Sequence, residues 1–312
     1  MPQYPWIGQY WAQIDEHQYE SQPGQPSSDR LHDCTLTSLG RYRNATITFA
    51  IKALSSSHEF HAAVLFRKNG VHYLGAGLGG WGSYYSLFHH TERGFSHLLF
   101  ESERKIQQDQ VYHFEIEVKS GFIRSFAMNG EALFPSPISL RDSSLRSYLR
   151  NGHIGLYAWD QTTAQITLTV TPHPTRCFII TNIEGRRTDK RRQRLQAILA
   201  DPQIEFLDSR DLSRDYPLMT KIRKTIMESD LVLADFGFGK PRGNVYYETG
   251  IAHSVGVPTI HIGPRATDFS QIVSSDMKAQ FYILEEELDA KLHLTVTSIL
   301  DANEGNFDYL GE

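Results

Sequence analysis

The stretch Ser229-Asp-Leu-Val-Leu-Ala-Asp-Phe236, then Val245-Tyr-Tyr-Glu-Thr-Gly-Ile-Ala-His-Ser-Val-Gly256, then Thr259-Ile-His-Ile262 decides the fold of the C-terminal half. Leu231–Ala234 is a continuous apolar run, as a strand covered on both faces requires. Val245 to Val255 reads as a helix, and Thr259–Ile262 as the next buried strand. Working outward, the alternation continues in both directions. Upstream lie strand Arg176–Thr181, a helix from about Thr188 to Ala200, strand Ile204–Leu207 and a helix over roughly Pro217 to Ser229. Downstream come strand Phe281–Leu284 and a helix near Leu288–Leu300. This order predicts a parallel sheet with helices on both faces.

Further upstream the period changes, across a short proline linker Thr171-Pro-His-Pro-Thr175. From about residue 6 to 170 the pattern has period two: Ala45–Leu54, His61–Arg67, Val71–Gly75, His97–Glu101, Val111–Val118, Phe122–Met128 and Ile166–Val170. The pairs Asn69-Gly70, Ser120-Gly121, Asn129-Gly130 and Asn151-Gly152 punctuate it, and Asn-Gly suits a type I′ turn, whose central residues both need positive φ. Short β-branched and aromatic strands joined by such turns predict an antiparallel sandwich. The chain is therefore expected to hold two domains, residues 1–172 and 173–312.

At 312 residues each domain is long enough to bury a core. The formal net charge of −5 excludes bulk nucleic-acid binding driven by charge alone. Cys34 and Cys177 fall in different domains and fit neither a disulfide framework nor a metal site, which points to a reducing compartment. The start Met1-Pro-Gln-Tyr-Pro-Trp-Ile-Gly lacks the basic and apolar regions of a signal peptide. No stretch approaches the ~18 apolar residues of a membrane helix. A cytoplasmic protein without a membrane partner is the expectation.

In open parallel sheets, ligands bind beyond the carboxyl ends of the strands. The loops there are Asn182–Asp189, Asp208–Asp215 and Asp235–Asn244. Glu248 stands out in the helix that follows the last. Its helical neighbours Val245, Ile251 and Ala252 are apolar, so its carboxylate falls on the stripe facing the sheet. Burying a carboxylate there is costly unless something pairs with it. A capping box does not explain it, because with Asn244 as N-cap the box position is Tyr247. Favourable placement in the helix dipole remains open.

The residues from Ser229 to Phe236, with Gly243-Asn-Val-Tyr-Tyr-Glu-Thr-Gly-Ile-Ala-His-Ser-Val-Gly-Val-Pro-Thr-Ile260, resemble the nucleoside 2-deoxyribosyltransferase-like domains and their TIR-like relatives. The resemblance spans about residues 176–285. It implies that Glu248 is the nucleophile and that Asp235 is the acidic residue closing the preceding strand. It places Thr181 and Asn182 at the substrate loop, Asp208 and Arg210 near the ribose or base, and Gly243, Asn244 and Tyr247 beside the glutamate. Arg186 and Arg187, in the loop before the first helix, could reach a nucleotide's phosphates. The implied ligand is a nucleoside, a nucleotide or NAD, the last as substrate rather than cofactor. Homo-oligomerisation and a role in bacterial anti-phage defence are further implications. The N-terminal half, with Tyr112–Val118, Met128-Asn-Gly130 and Gly152-His-Ile-Gly-Leu-Tyr157, resembles concanavalin-like sandwiches of the laminin-G/glucanase type. That implies a binding or assembly module with a carbohydrate or protein ligand.

Cleavage of an N-glycosidic bond passes through an oxocarbenium-like state, which a carboxylate can stabilise or trap covalently. A neutral base must also be protonated, and Asp235 is the nearest donor in sequence. The rival reading is a non-catalytic nucleotide-binding or self-association module in which Glu248 is a paired structural carboxylate. Gly237–Gly243 lacks Walker spacing but leads into a helix N-terminus where a phosphate could sit. Arg187, Lys190, Arg191, Arg192 and Arg194 read, with Arg186, as a mainly solvated basic face. Trp81, Tyr84 and Tyr85 read as sandwich packing or as a platform for a sugar ring. No histidine spacing matches a metal site.

Overall fold

The structure, a computed structural model, describes residues 11–21, 33–55, 59–141, 145, 148, 152–159, 162–181, 186–199, 204–209, 211–212, 217–236, 243–263 and 281–301. It divides into two compact units, with the boundary between Pro172 and His173.

The N-terminal unit is mostly antiparallel β-structure. Its strands are β1 (Trp11–Asp15), β2 (Gln18–Ser21), β3 (Asp33–Tyr42), β4 (Ala45–Ala53), β5 (His61–Asn69), β6 (His72–Gly79) and β7 (Tyr85–Thr91). They continue with β8 (Gly94–Glu101), β9 (Val111–Lys119), β10 (Phe122–Met128), β11 (Glu131–Ala132), β12 (Ile138–Ser139), β13 (Gly152–Trp159) and β14 (Ala164–Pro172). One sheet runs β1-β2-β14-β4-β9-β10-β11, with β12 on β10; the other runs β3-β13-β5-β6-β7-β8. Alternation fixes which side of β4 and β9 is inward. Ile47 pairs with Ile116 and Phe49 with Phe114, while His113 and Glu115 face out. The Phe49 and Phe114 rings stack at 4.9 Å. These side chains share one core with Val64, Leu74, Ala76 and Leu156 of the second sheet.

The second sheet departs from simple alternation. Ala63, Leu65, Tyr73, Phe88 and Tyr157 form a separate buried cluster. That is why β5 and β6 are buried on both faces almost throughout. Two of the four expected turns have positive φ at both positions, Ser120-Gly121 and Asn129-Gly130. At Asn69-Gly70 only the glycine does, and the pairing of β5 with β6 is irregular between Phe66 and Asn69. Gly152 instead opens β13, and Asn151 lies outside the described residues. The proline linker is shorter than expected, because Thr171 and Pro172 finish β14 and Thr175 opens the next strand.

The C-terminal unit contains β15 (Thr175–Ile180), α1 (Arg186–Ile198), β16 (Ile204–Asp208), α2 (Leu218–Met227), β17 (Leu231–Asp235), α3 (Gly243–Ser254), β18 (Thr259–Gly263), β19 (Phe281–Leu284) and α4 (Leu288–Asp301). All sheet pairings are parallel, in the order β16-β15-β17-β18-β19. One face packs Cys177, Ile179, Leu231 and Leu233 against Leu195 of α1 and Leu292 of α4. The other packs Phe178, Ile180, Val232 and Ala234 against Ile222 of α2 and Val245 and Ala252 of α3. Alternate residues of each central strand thus feed opposite cores, and the apolar runs are continuous for that reason.

Close approach of β5 and β6 depends on Gly77. A methyl group there would overlap the Ala62 carbonyl oxygen and lie 2.5 Å from Ala63 Cα. Gly77→Ala is expected to lower the stability of the N-terminal unit by roughly 1–3 kcal/mol in urea unfolding. Gly250 of α3 is exposed with open space around it, so Gly250→Ala should instead stabilise by roughly 0.5–1 kcal/mol.

Candidate functional site

The sheet order reverses direction at β15: the chain moves first to β16 and then back across to β17. Ligands of open α/β sheets bind outside the carboxyl ends of the strands at such a point. Three side chains from the sequence reading meet this edge. Asp208 ends β16, Asp235 ends β17, and Thr181 follows β15. All three are buried.

Two consecutive residues of α1 hold the two aspartates. Arg191 donates from Nε to Asp235 Oδ2 at 2.8 Å and from Nη2 to Asp235 Oδ1 at 3.2 Å. Arg192 lies 3.1 Å from Asp208, Nη1 to Oδ2, and its Nη2 donates to Asp211 Oδ2 at 2.7 Å. Asp211 also accepts from the Asp208 backbone N–H at 2.9 Å. The expectation of a solvated basic face is corrected here. Arg191 is 6% exposed and Arg192 half-buried, because successive helical residues diverge by about 100° and so reach the strands on either side of β15. Lys190 and Arg194 are exposed, the latter bound to Asp289.

Glu248 lies on α3, which starts at Gly243. Asn244 is therefore inside the first turn rather than an N-cap, and its Nδ2 donates to the Thr181 carbonyl at 3.4 Å. Glu248 stands four residues later on the same helical face. It is 2% exposed, and among the described residues its carboxylate has no hydrogen-bond partner. Burial raises its pKa from 4.5 to about 7, and the Asp208 carboxylate nearby adds to the rise. The paired-carboxylate reading finds no partner for Glu248 among the described residues.

The native state holds the proton more tightly than the unfolded chain, so the stabilisation is full below pH 4.5 and is lost as pH rises through about 7. The ionised carboxylate then costs the fold on the order of 3 kcal/mol.

Other positions are less informative. Tyr247 is exposed, and the Tyr246 ring meets Phe236 at 5.4 Å in a tilted arrangement. Gly243 is exposed with space around it. Arg186 belongs to the first turn of α1 rather than to a loop, as does Arg187; their side chains, with Asn182, Arg210 and residues 237–242, lie outside the described residues. Arg191, Arg192 and Asp211 are the site residues that sequence reasoning missed. The signal was present: apolar strands ending in Leu207-Asp208 and Ala234-Asp235 need counter-charges when buried, and a basic helix adjoins both. Among the described residues, no group of three or more His, Cys, Asp or Glu side chains could hold a metal ion. No described helix is long and apolar enough to cross a membrane.

No protein-family model and no curated protein matches the chain. Among solved structures, a carbohydrate-binding module from Bacillus subtilis is 15% identical, with a TM-score of 0.40 over 53% of this chain and 91% of its own. A β-1,3-1,4-glucanase (lichenase) derived from a mouse hindgut metagenome is 10% identical, with a TM-score of 0.39 over 51% and 82%. A 2-desoxiribosyltransferase from Leishmania mexicana is 16% identical, with a TM-score of 0.27 over 30% and 66%. At these values the chemistry of the site rests on its own residues.

Asp235→Ala strands the buried Arg191 charge and is expected to cost roughly 3–5 kcal/mol in thermal or urea unfolding. The double variant Arg191→Met/Asp235→Leu, which removes both charges, should recover most of that loss. Equal losses in the single and double variants would show that the pair is not the source.

Proposed function

We propose that the C-terminal unit cleaves the N-glycosidic bond of a nucleoside, a nucleotide or NAD, with Glu248 as nucleophile. One observation carries this reading: a buried carboxylate without a hydrogen-bond partner among the described residues, at the edge of a doubly wound sheet where ligands bind. Stability alone disfavours such a group, whereas a reactive carboxylate must be free to meet an anomeric carbon.

The role of Asp235 changes under this reading. Both its oxygens accept from Arg191, and a carboxylate held in that way is a poor proton donor. Asp208 is similarly held by Arg192 and acts on Glu248 through its charge. Neither aspartate is then suited to protonate a departing neutral base. The reading therefore favours a base that leaves without protonation, such as the cationic nicotinamide of NAD. Assembly into homo-oligomers and a cytoplasmic setting belong to this proposal as well.

The test is mass spectrometry of free base released from NAD, nucleosides and nucleotides, at protein concentrations high enough to drive assembly. Wild type is expected to release nicotinamide, and Glu248→Gln to be slower by on the order of 10³-fold or more. Because the ionised form attacks, kcat/KM should rise with pH through about 7 and then level. A profile that falls through the same pH would make Glu248 a general acid, and full activity in Glu248→Gln would remove it from the mechanism.

A second reading concerns the N-terminal unit, as a module for a carbohydrate ligand. Trp81 favours it: the ring is 55% exposed at a left-handed φ of 50° and leans on Phe95 and His97 at 5.0 and 4.7 Å. Tyr84 and Tyr85 are buried and serve packing. Calorimetric titration of the full chain with a panel of soluble oligosaccharides should find one that binds, with affinity falling about tenfold or more in Trp81→Ala, a loss of about 1.4 kcal/mol or more. Unchanged affinity in that variant would exclude Trp81 as the platform.

A further inference from the structure

The arrangement of charges around Glu248 raises a question that the glycosidase reading leaves open. Asp208 stands in register with Ile179, two residues before Thr181, and the Thr181 carbonyl receives Asn244 one turn ahead of Glu248. Two buried carboxylates thus share the same edge, and like charges in such a place oppose ionisation of both. Among the described residues, the other charged or titratable groups on the surrounding elements are mostly engaged with one another or exposed. Arg191 and Asp235 hold each other, and His253 of α3 and His261 of β18 meet Nε2 to Nε2 at 3.1 Å. On α2, Arg223 and Lys224 are exposed and Lys221 is half-buried; on β15, Arg176 binds Glu205 and Glu228 at the opposite end of the sheet.

Arg192 is different. It bridges Asp208 and Asp211, and its Nε is buried with no hydrogen-bond partner. A guanidinium that leaves one donor unsatisfied to keep this position is held there by its charge partners rather than by complete hydrogen bonding.

We propose that Arg192 is the positioning residue of this site: it neutralises Asp208, so that Glu248 can carry its own negative charge beside a second carboxylate. The inference rests on the reading of Glu248 as the reactive group, but its test does not require turnover. Arg192 touches no reacting atom. It acts through Asp208, and its removal leaves the nucleophile in place but protonated over a wider pH range.

The experiment compares thermal unfolding of the full chain with its Glu248→Gln variant from pH 5 to 9. The stability difference between them grows above the unfolded-state pKa of 4.5 and levels off at the native-state pKa, so the pH at which it levels off reports the Glu248 midpoint in the native state. The same comparison is made in Arg192→Met, which keeps the aliphatic stem, and in Arg192→Lys. The midpoint is expected to move up by about one pH unit or more in Arg192→Met and to return towards the wild-type value in Arg192→Lys. An unchanged midpoint in Arg192→Met would overturn the proposal. If Arg192→Met does not fold, Asp208→Asn serves: removal of the second carboxylate should lower the Glu248 midpoint, and no change would overturn the proposal equally. Failure of the glycosidase reading would look different, with the midpoints shifting as expected but no base released.

Discussion

Two adjacent arginines on one helix hold the carboxyl edge of the parallel sheet. Arg191 binds the aspartate that ends β17 and Arg192 the aspartate that ends β16, on either side of the central β15. Each aspartate is itself buried at the end of its strand, where an unpaired carboxylate would cost several kcal/mol. The pairing therefore lets the strands end in charge at the carboxyl edge of the sheet without exposing its core. It also determines what Glu248 can do. With both neighbouring carboxylates satisfied, the remaining buried acid is the one group at this edge whose charge is not met by a described partner.

The energetics run in one direction. Burial and the Asp208 charge make ionised Glu248 expensive, so at neutral pH the protein carries a group that weakens it. A glutamine of the same shape would avoid the cost. Under the proposed function, that cost is the other side of reactivity: a carboxylate kept from water, with no hydrogen-bond partner among the described residues, is available to a developing positive charge on a sugar. The same environment places its ionisation near pH 7, where both forms are populated.

Much of the fold was legible because period and punctuation are local. The continuous apolar run Leu231–Ala234 and the stretch Thr259–Ile262 became interior strands, and the alternation of Val111–Val118 became β9 within one residue. Strands β1, β2, β3 and β7 were missed, as were the two-residue strands β11 and β12. Tyr85–Thr91 does not alternate, because Phe88 packs in the outer aromatic cluster while Leu87 enters the main core, so both faces are apolar. At the site, Glu248 was legible as a carboxylate on an apolar helical stripe. Arg191 and Arg192 were not, since a basic run reads as solvated until tertiary structure brings strand-ending aspartates beneath it. Pairing across 44 residues, as between Arg191 and Asp235, leaves no local pattern.

The central claim is that Glu248 attacks the anomeric carbon. A 2-fluoro-substituted sugar analogue of the preferred substrate slows formation and breakdown of a glycosyl ester and allows it to accumulate. Intact-mass and peptide mass spectrometry of the protein after incubation with that analogue would read the outcome directly. One glycosyl group per chain, on the peptide that contains Glu248 and absent from Glu248→Gln, is the predicted result. Release of free base with no adduct, or an adduct on another residue, would contradict it.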